Sequence, residues 1–444
     1  MGILHKTLSM LEAHALCDHC LGRQFAMLGH GIENDERGNA LKQTLVMKAH
    51  DLVLSGNKRG LKILNILTTN GFSRAANEVL EKIEPHNQPE HKPETCFLCE
   101  NRFGSLDDLT EKALSLLADY EYDNFLVGTE LPVSVAERED EFRARFDADH
   151  GENLKNEFGR VIGKKIAEIS KKPVEFKKPD IVVLVNPFAG QVEIRSNPLF
   201  VAGRYRKLVR GIPQSKWFCS SCRGKGCEKC NWTGKMYPES VQEIIEEPFL
   251  RAAVGTQSSF HASGREDIDV RMLGNGRPFV LEITKPRRRF LDLRKLEKEV
   301  NRRGRGKVKV VGLKPADRAL LRELKRGEAK QKEYHVVMEF ENKITPENLR
   351  TLKERLTNAI ILQKTPLRVL HRRADLTREK YIYEVNVKKL SPNKAEMRIR
   401  CQGGLYVKEL VTGDEGRTAN SVSEILNNKA KPLKLDVLNV IMEE

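Results

Sequence analysis

Eight of the nine cysteines stand in four Cys-x-x-Cys pairs, Cys17/Cys20, Cys96/Cys99, Cys219/Cys222 and Cys227/Cys230, and only Cys401 is single. Each pair sets two thiolates on one tight turn, and four thiolates meet the tetrahedral preference of zinc. Cys219-x2-Cys222-x4-Cys227-x2-Cys230 is compact enough for one site, with Gly224 and Gly226 letting the short connection fold back. The Cys17/Cys20 and Cys96/Cys99 pairs lie far apart in sequence, so a helical insert must bring them together. Half-sites completed by His14 or His19, or reduced structural thiols, are the alternatives there. Neither cluster keeps an open coordination position, and no His-x-Glu deaminase pattern accompanies them. One or two structural Zn2+ ions are expected.

The densest polar constellation is residues 263–283, SGREDIDVRMLGNGRPFVLEI. Its acids, Glu266, Asp267 and Asp269, lie among Arg265, Arg271 and Arg277. As a solvated charged loop it would be unremarkable. Yet Gly264, Gly274, Gly276 and Pro278 imply a sharply turned loop leading into an apolar strand. A carboxylate held there among arginines is expected to stay ionised, which suits a nucleophile or electrostatic catalyst and is poor for a general acid. The Gly-x-Gly lacks the third glycine and the helix of a dinucleotide fingerprint, and no phosphate-binding Gly-x-x-x-x-Gly-Lys-Ser/Thr loop occurs.

Cations gather in two further places. From Lys285 to Val310 there are twelve Lys/Arg against three Asp/Glu, including Arg287, Arg288, Arg289, Arg302 and Arg303. The glycines of NRRGRGK bring backbone close to a ligand, so phosphate contact is favoured over a merely solvated helix face. GRYRKLVRG at 203–211 sets Arg204, Arg206, Lys207 and Arg210 beside Tyr205, a mix suited to an unpaired base on a phosphate backbone.

The elements that must position these groups are legible in outline. Residues 1–85 carry helical periodicity, and the Pro-rich 85–95 breaks it. A helix is expected at 106–119, strand-like runs after it, a helix at 151–171, and a short strand at 181–185. Beyond the second cysteine cluster, strands are expected near 278–284, 308–312, 334–341, 381–388 and 395–401. Helices intervene at 290–302, 315–326 and 346–356. That second cluster is expected to mark a domain boundary.

The 444 residues suggest about three domains. With 39% hydrophobic and 31% charged residues the chain is too apolar for a disordered one. A formal net charge of +15 points to a polyanionic partner. No apolar stretch is long enough to span a bilayer and no signal segment opens the chain, so an intracellular protein away from membranes is expected.

Residues 151–215, from the helix through the 181–185 strand to NPLFVAGRYRKLVRGIPQ, resemble the THUMP domain of RNA-modification enzymes, over roughly 105–215. Gly264-Arg265-Glu266-Asp267 resembles the Gly-Arg-x-Asp motif around the catalytic aspartate of pseudouridine synthases. Gly404-Leu405-Tyr406-Val407-Lys408-Glu409-Leu410 resembles their later Gly-Thr-Tyr-Ile-Arg/Lys-x-Leu motif, and Lys332-Glu333-Tyr334 opens a strand where the family carries its active-site tyrosine. With TPLRVLHRRA at 365–374 and GDEGRT at 413–418, the whole chain resembles archaeal tRNA pseudouridine synthases of the "Pus ten" type, which act on uridines 54 and 55 of the T-loop. Lys408 departs from the arginine of many superfamily members, keeping charge but losing bidentate geometry.

The resemblance implies an α+β protein. A helical zinc-binding region (1–104) and a THUMP-like α/β domain (105–216) precede a zinc knuckle (217–235). A catalytic domain with a mixed or antiparallel sheet and flanking helices follows (236–444). It implies Asp267 as nucleophile, attacking ribose C1′ or abstracting the C2′ proton, and Lys408 as its neutralising partner. Tyr334, Tyr406, Arg265 and Leu410 would bind the flipped uridine. The partner would be tRNA, the compartment the cytoplasm, the state a monomer, and no organic cofactor would be needed. Segment 203–211 would sit in a separate domain, so charge reversal at Arg204 and Lys207 would weaken tRNA binding alone. The rivals are another THUMP-associated enzyme, a methyltransferase or thiolation enzyme, whose cofactor loops are missing, and a non-catalytic zinc-dependent RNA-binding protein.

Overall fold

The computed structural model describes residues 2–84, 95–326 and 331–441. The expected loop 85–95 lies, but for Thr95, outside the described residues. The chain divides between Asn197 and Pro198 into two units.

In the first unit, helices Ile3–Ala13, Asn34–Leu54, Arg59–Thr69 and Arg74–Ile83 fulfil the helical periodicity. Leu11, Leu64 and Leu67 on their apolar stripes are fully buried. Ser73 caps the last of these helices, its hydroxyl accepting the Ala76 amide at 3.3 Å. Strand β1 (Phe125–Thr129) pairs in parallel with β2 (Ile181–Asn186), which pairs antiparallel with β3 (Gln191–Ser196). Helix Leu154–Ser170 packs on β1 and helix Leu106–Leu117 on β3. The strand-like reading after 119 holds for β1, but Val133–Arg145 is a helix. Its buried residues, Val135, Glu139 and Phe142, follow helical spacing. The buried Glu139, paired with buried Arg23, hides that stripe from a hydrophobicity reading.

The second unit is built on a nine-stranded sheet. Its strands are β4 (Leu199–Lys207), β5 (Gln257–Ala262), β6 (Val270–Thr284), β7 (Val308–Ala316), β8 (Gln331–Phe340), β9 (Ala359–Lys364), β10 (Thr377–Ser391), β11 (Lys394–Gln402) and β12 (Ala430–Val440). The order is β7-β4-β6-β12-β8-β11-β10-β9, with β5 also on β6. Only β6–β12 is parallel, so the sheet is mixed, as expected. Helices Val241–Ala253, Leu293–Arg303 and Pro346–Leu356 bury Ile245, Phe249, Val300 and Leu352 with Leu281, Ile283, Val336 and Leu410 in one core. Helix Arg318–Arg326 covers Phe200, Ala202 and Val280 in a second cluster. Residues 279–281 of β6 are therefore buried on both faces, which explains their continuous apolar run.

Two expected boundaries change. Strand β4 lies inside the second sheet, between β7 and β6, so residues 199–216 belong to this unit and not to a THUMP-like domain. The 219–230 cluster is an insertion within the same unit and marks no boundary.

Candidate active site and metal centres

Along one edge, residues 279–284 of β6 pair with β5 and residues 270–276 pair with β12. The β5–β6 loop, residues 263–269, emerges where one partner gives way to the other. Gly274 and Gly276 lie within β6 and not in the loop. At Gly274 (φ +52°) a Cβ would sit 1.8 Å from the Leu438 carbonyl oxygen, so glycine lets β12 approach there.

The loop is pinned from below by a buried network. The Glu266 carboxylate accepts the Arg277 Nε–H at 2.8 Å and the Tyr205 hydroxyl at 2.9 Å. Arg277 also donates to the Ser263 carbonyl at 2.7 Å, and Gln214 donates to the Tyr205 hydroxyl at 2.7 Å and the Gly264 carbonyl at 3.0 Å. Glu266, Arg277 and Tyr205 are all buried. Burial and the neighbouring Glu266 charge push the Tyr205 phenol well up, so it stays protonated and donates.

From the side, Lys207 Nζ donates to the Ile212 and Asp267 carbonyls at 3.0 and 2.9 Å, with Ile268 at 3.3 Å. Burial depresses the Lys207 ammonium to about 8, partly offset by Glu266 and Asp269. Arg210 reaches the Asp269 carbonyl at 2.8 Å and the buried Asp436 carboxylate at 2.6 Å, and Arg271 grips Asp436 at 2.9 and 2.7 Å. Arg204 caps the carbonyls of Asn275, Gly276 and Val440 at 2.8–3.0 Å.

These contacts correct the reading of 203–211. Lys207 is fully buried and cannot meet a phosphate, while Arg204 and Arg210 are spent on carbonyls and Asp436. Lys207 and Arg210 hold the acidic loop through its carbonyls, and Arg204 holds carbonyls of β6 and β12, because carbonyls turned towards one side chain need a donor there. Charge reversal at Lys207 would therefore disturb the loop, and at Arg204 the β6–β12 strands, and not affinity alone. Arg206 stays partly exposed. Arg287, Arg288, Arg302 and Arg303 are exposed, Arg289 partly so, and Arg303 pairs with Glu247.

The loop presents Asp267. Its Oδ2 lies 3.2 Å from Lys408 Nζ and 3.1 Å from Arg368 Nη1. Lys408 also binds both Asp269 oxygens at 2.8 Å. Burial acts to raise the Asp269 carboxyl, yet the Lys408 bond and charge hold it below its usual value. Arg368 Nε donates to the buried Glu409 at 2.6 Å. Two cations therefore converge on one carboxylate oxygen of Asp267.

The aromatics fall around this centre. Tyr334 on β8 is partly buried, and burial pushes its phenol well up, helped by Cys401, Glu266 and Asp267 and opposed by Arg277. Arg368 lies 5.9 Å over the Tyr406 ring, and Arg373 donates to the Tyr406 hydroxyl at 2.8 Å. Buried Gln363 fixes the Tyr406 backbone through both its amide and its carbonyl, at 2.8 and 3.1 Å. Arg265 is exposed, its guanidinium 5.1 Å over Trp217. Leu410 is fully buried in the core, so it packs the Lys408 helix and does not meet a substrate. Arg368, Glu409 and Gln363 were not singled out by sequence reasoning. Arg368 lies within the TPLRVLHRRA segment noted there, but a lone charge in a basic stretch carries no signal of its partner.

Both cysteine clusters gather. The sulfurs of Cys17, Cys20, Cys96 and Cys99 lie within 4.8 Å of one another, as do those of Cys219, Cys222, Cys227 and Cys230. Sulfur separations of 3.6 Å (Cys17–Cys99) and 3.7–3.8 Å (Cys219–Cys227, Cys222–Cys230, Cys227–Cys230) match the edge of a zinc–thiolate tetrahedron, about 3.8 Å. Backbone amides point at the sulfurs, Cys17 N–H at Cys96 and Gly226 N–H at Cys222, as a thiolate acceptor requires. His14 and His19 are no part of these sets; they stack on Phe97 and Phe103. The residues fit zinc, which would supply rigidity and no reactive position. Metal analysis is expected to find up to two zinc per chain. Strong chelation, Cys17→Ala or Cys96→Ala is expected to lower thermal stability, because structural metal contributes directly to folding. Protein purified without chelators that holds no zinc would contradict this.

A carboxylate on a pinned loop, with two cations within 3.2 Å of one oxygen, is an arrangement that can serve covalent or proton-transfer chemistry on a ligand brought from outside. Residues 200–441 match the family model described as Pus10, C-terminal, and residues 109–186 that of the archaeal Pus10 THUMP domain. The chain is 44% identical over 442 residues to tRNA pseudouridine synthase Pus10 of Methanocaldococcus jannaschii, covering 97% of this chain and 93% of that one. The same-named protein of Methanothrix thermoacetophila is 40% identical (99% and 94% covered), and that of Methanothermobacter marburgensis 42% (96% and 95%). The chain belongs to the Pus10 family of tRNA pseudouridine synthases, with a THUMP domain in its first unit. Among the described residues, no helix is long and apolar enough to cross a membrane.

Proposed function

We propose that this protein isomerises uridine to pseudouridine at positions 54 and 55 of the tRNA T-loop, with Asp267 as nucleophile on a flipped-out uridine. The observation that carries the reading is the Asp267 carboxylate held 3.1–3.2 Å from Arg368 and Lys408 at the mouth of the pinned loop. The glycosidic bond must break and the base must turn, so the uridine has to leave the T-loop stack. Attack at C1′ and proton abstraction at C2′ both use the Asp267 carboxylate that Lys408 and Arg368 flank. Tyr334 and Tyr406 contact the extracted base, one by stacking, with either able to assist proton transfer at C5. Lys408 orients Asp267, and Arg265 contacts the nucleotide. No atom leaves or enters the product, so no redox or group-transfer cofactor takes part. Half-buried Arg206 and the basic stretch holding Arg287, Arg288, Arg289, Arg302 and Arg303 contact tRNA phosphates. The protein works as a monomer in the cytoplasm, where its thiols stay reduced.

Incubation with an unmodified tRNA transcript, followed by carbodiimide primer extension, is expected to stop reverse transcription at positions 54 and 55. Absence of both stops would overturn the reading.

A further inference from the structure

The Cys219–Cys230 insertion carries surface features that holding its own fold does not require. Trp232, Phe218 and Met236 are large apolar side chains left 73%, 59% and 54% exposed. A small metal-clamped knuckle has no need of them outside. Trp232 also sits in the left-handed backbone region (φ +61°), directly after Asn231 (φ +48°). Such a turn is ordinarily given to Gly or Asn, and a bulky residue adopts it only at a steric cost. The Trp232 amide donates to the Cys227 carbonyl at 2.9 Å, so the turn that closes the metal site also fixes where this indole projects.

Charge accompanies the aromatics. Arg223, Lys225 and Lys229 are exposed and form no ion pair among the described residues, whereas Lys216 and Lys235 are taken by Glu243 and Glu246. The segment's own acid is Glu228. The knuckle is also rooted at the candidate active site. Its stem joins 217–219 to 234–236 through the Met236 amide on the Trp217 carbonyl at 2.9 Å and the Cys219 amide on the Gly234 carbonyl at 2.8 Å. At the base of that stem Trp217 packs edge-on against Tyr237 at 5.6 Å, and Arg265 of the Asp267 loop lies over it at 5.1 Å.

We propose that this knuckle is a finger for single-stranded RNA, on which Trp232 and Phe218 stack unpaired bases of the tRNA while Arg223, Lys225 and Lys229 take the intervening phosphates. Exposed aromatics interleaved with unpaired cations fit the faces of bases and the anionic backbone between them, and neither an apolar protein surface nor a duplex offers that pattern. The proposal rests on tRNA being the substrate. It adds that nucleotides beside the extracted uridine are unstacked and held by the inserted knuckle.

The test uses the full-length, zinc-loaded chain and an unmodified tRNA transcript, with Trp232→Ala, Phe218→Ala and the triple variant Arg223→Gln/Lys225→Gln/Lys229→Gln. The altered side chains are exposed, so zinc content and melting temperature are expected to stay at wild-type values. Trp232→Ala is expected to weaken tRNA binding about 5- to 100-fold, the range of losing one stacked base. The triple variant is expected to flatten the salt dependence of binding by about two units of slope, as three lost single-strand phosphate contacts require. Indole emission is expected to be quenched by tRNA in the wild type and much less in Trp232→Phe. Affinity within twofold of wild type for Trp232→Ala, with an unchanged salt slope for the triple variant, would overturn the finger, as would a wild-type chain that does not bind tRNA. A wild type that binds tRNA but forms no pseudouridine, with Trp232→Ala still binding weakly, would overturn the catalytic reading and leave the finger standing.

Discussion

Asp267→Asn is expected to abolish pseudouridine formation while leaving the protein folded and tRNA-competent. The substitution keeps the shape of the side chain and the Asp267 carbonyl that Lys207 holds at 2.9 Å. It removes the one charge that Lys408 and Arg368 both address. An amide neither attacks C1′ nor takes the C2′ proton, so the loss in single-turnover rate is expected to exceed about 1000-fold, or ~4 kcal/mol of barrier. tRNA affinity is expected to stay within a few-fold, since Lys408 remains paired with Asp269 and Arg368 with Glu409. Lys408→Met is expected to act in the same direction but more weakly, because Arg368 still neutralises the carboxylate. Substantial turnover by the Asn variant would remove Asp267 from the chemistry.

The second large effect concerns stability. Arg277→Met is expected to cost the second unit about 3–5 kcal/mol, the usual result of stranding one member of a buried ion pair. Arg277 and Glu266 are 1% and 4% exposed, so little water reaches the stranded carboxylate. Adding Glu266→Gln to Arg277→Met is expected to recover much of the loss, because a neutral amide can still accept the Tyr205 hydroxyl. Denaturant unfolding of the single and double variants measures this. A single-variant loss under about 1 kcal/mol would show that the pair does not hold the loop. Activity is expected to fall in both variants, since the Ser263 carbonyl that Arg277 binds begins the loop carrying Asp267.

The two effects differ in how far they could be anticipated. Asp267 stands in a run of acids, arginines and glycines dense enough to draw notice, and its motif names it. Glu266 and Arg277 stand in the same run, but nothing in their order tells that one neighbour faces solvent and the other is sealed. The Arg368–Glu409 contact joins residues 41 positions apart. The sulfurs of Cys17 and Cys99, 82 positions apart, meet at 3.6 Å.

Residue types and spacing alone determined that four thiolate pairs were available for metal, that the chain carries excess positive charge, that helices precede a strand-rich second half, and that the densest run of acids, arginines and glycines lies at residues 263–283. These are local properties, set by side-chain chemistry and by periodicities of two and 3.6 residues. The tertiary structure decided the roles of the cations. Arg204, Lys207 and Arg210 read as a phosphate-binding run because charge beside an aromatic is what such a run looks like. Folding placed them on and just after β4, where carbonyls of the Asp267 loop, of β6 and of β12, and the carboxylate of Asp436, needed donors. Strand β4 belongs to the second unit because its partners, β6 and β7, lie far along the chain. A nonlocal ladder leaves no local trace, and a buried cation is distinguished from an exposed one only by what folds over it.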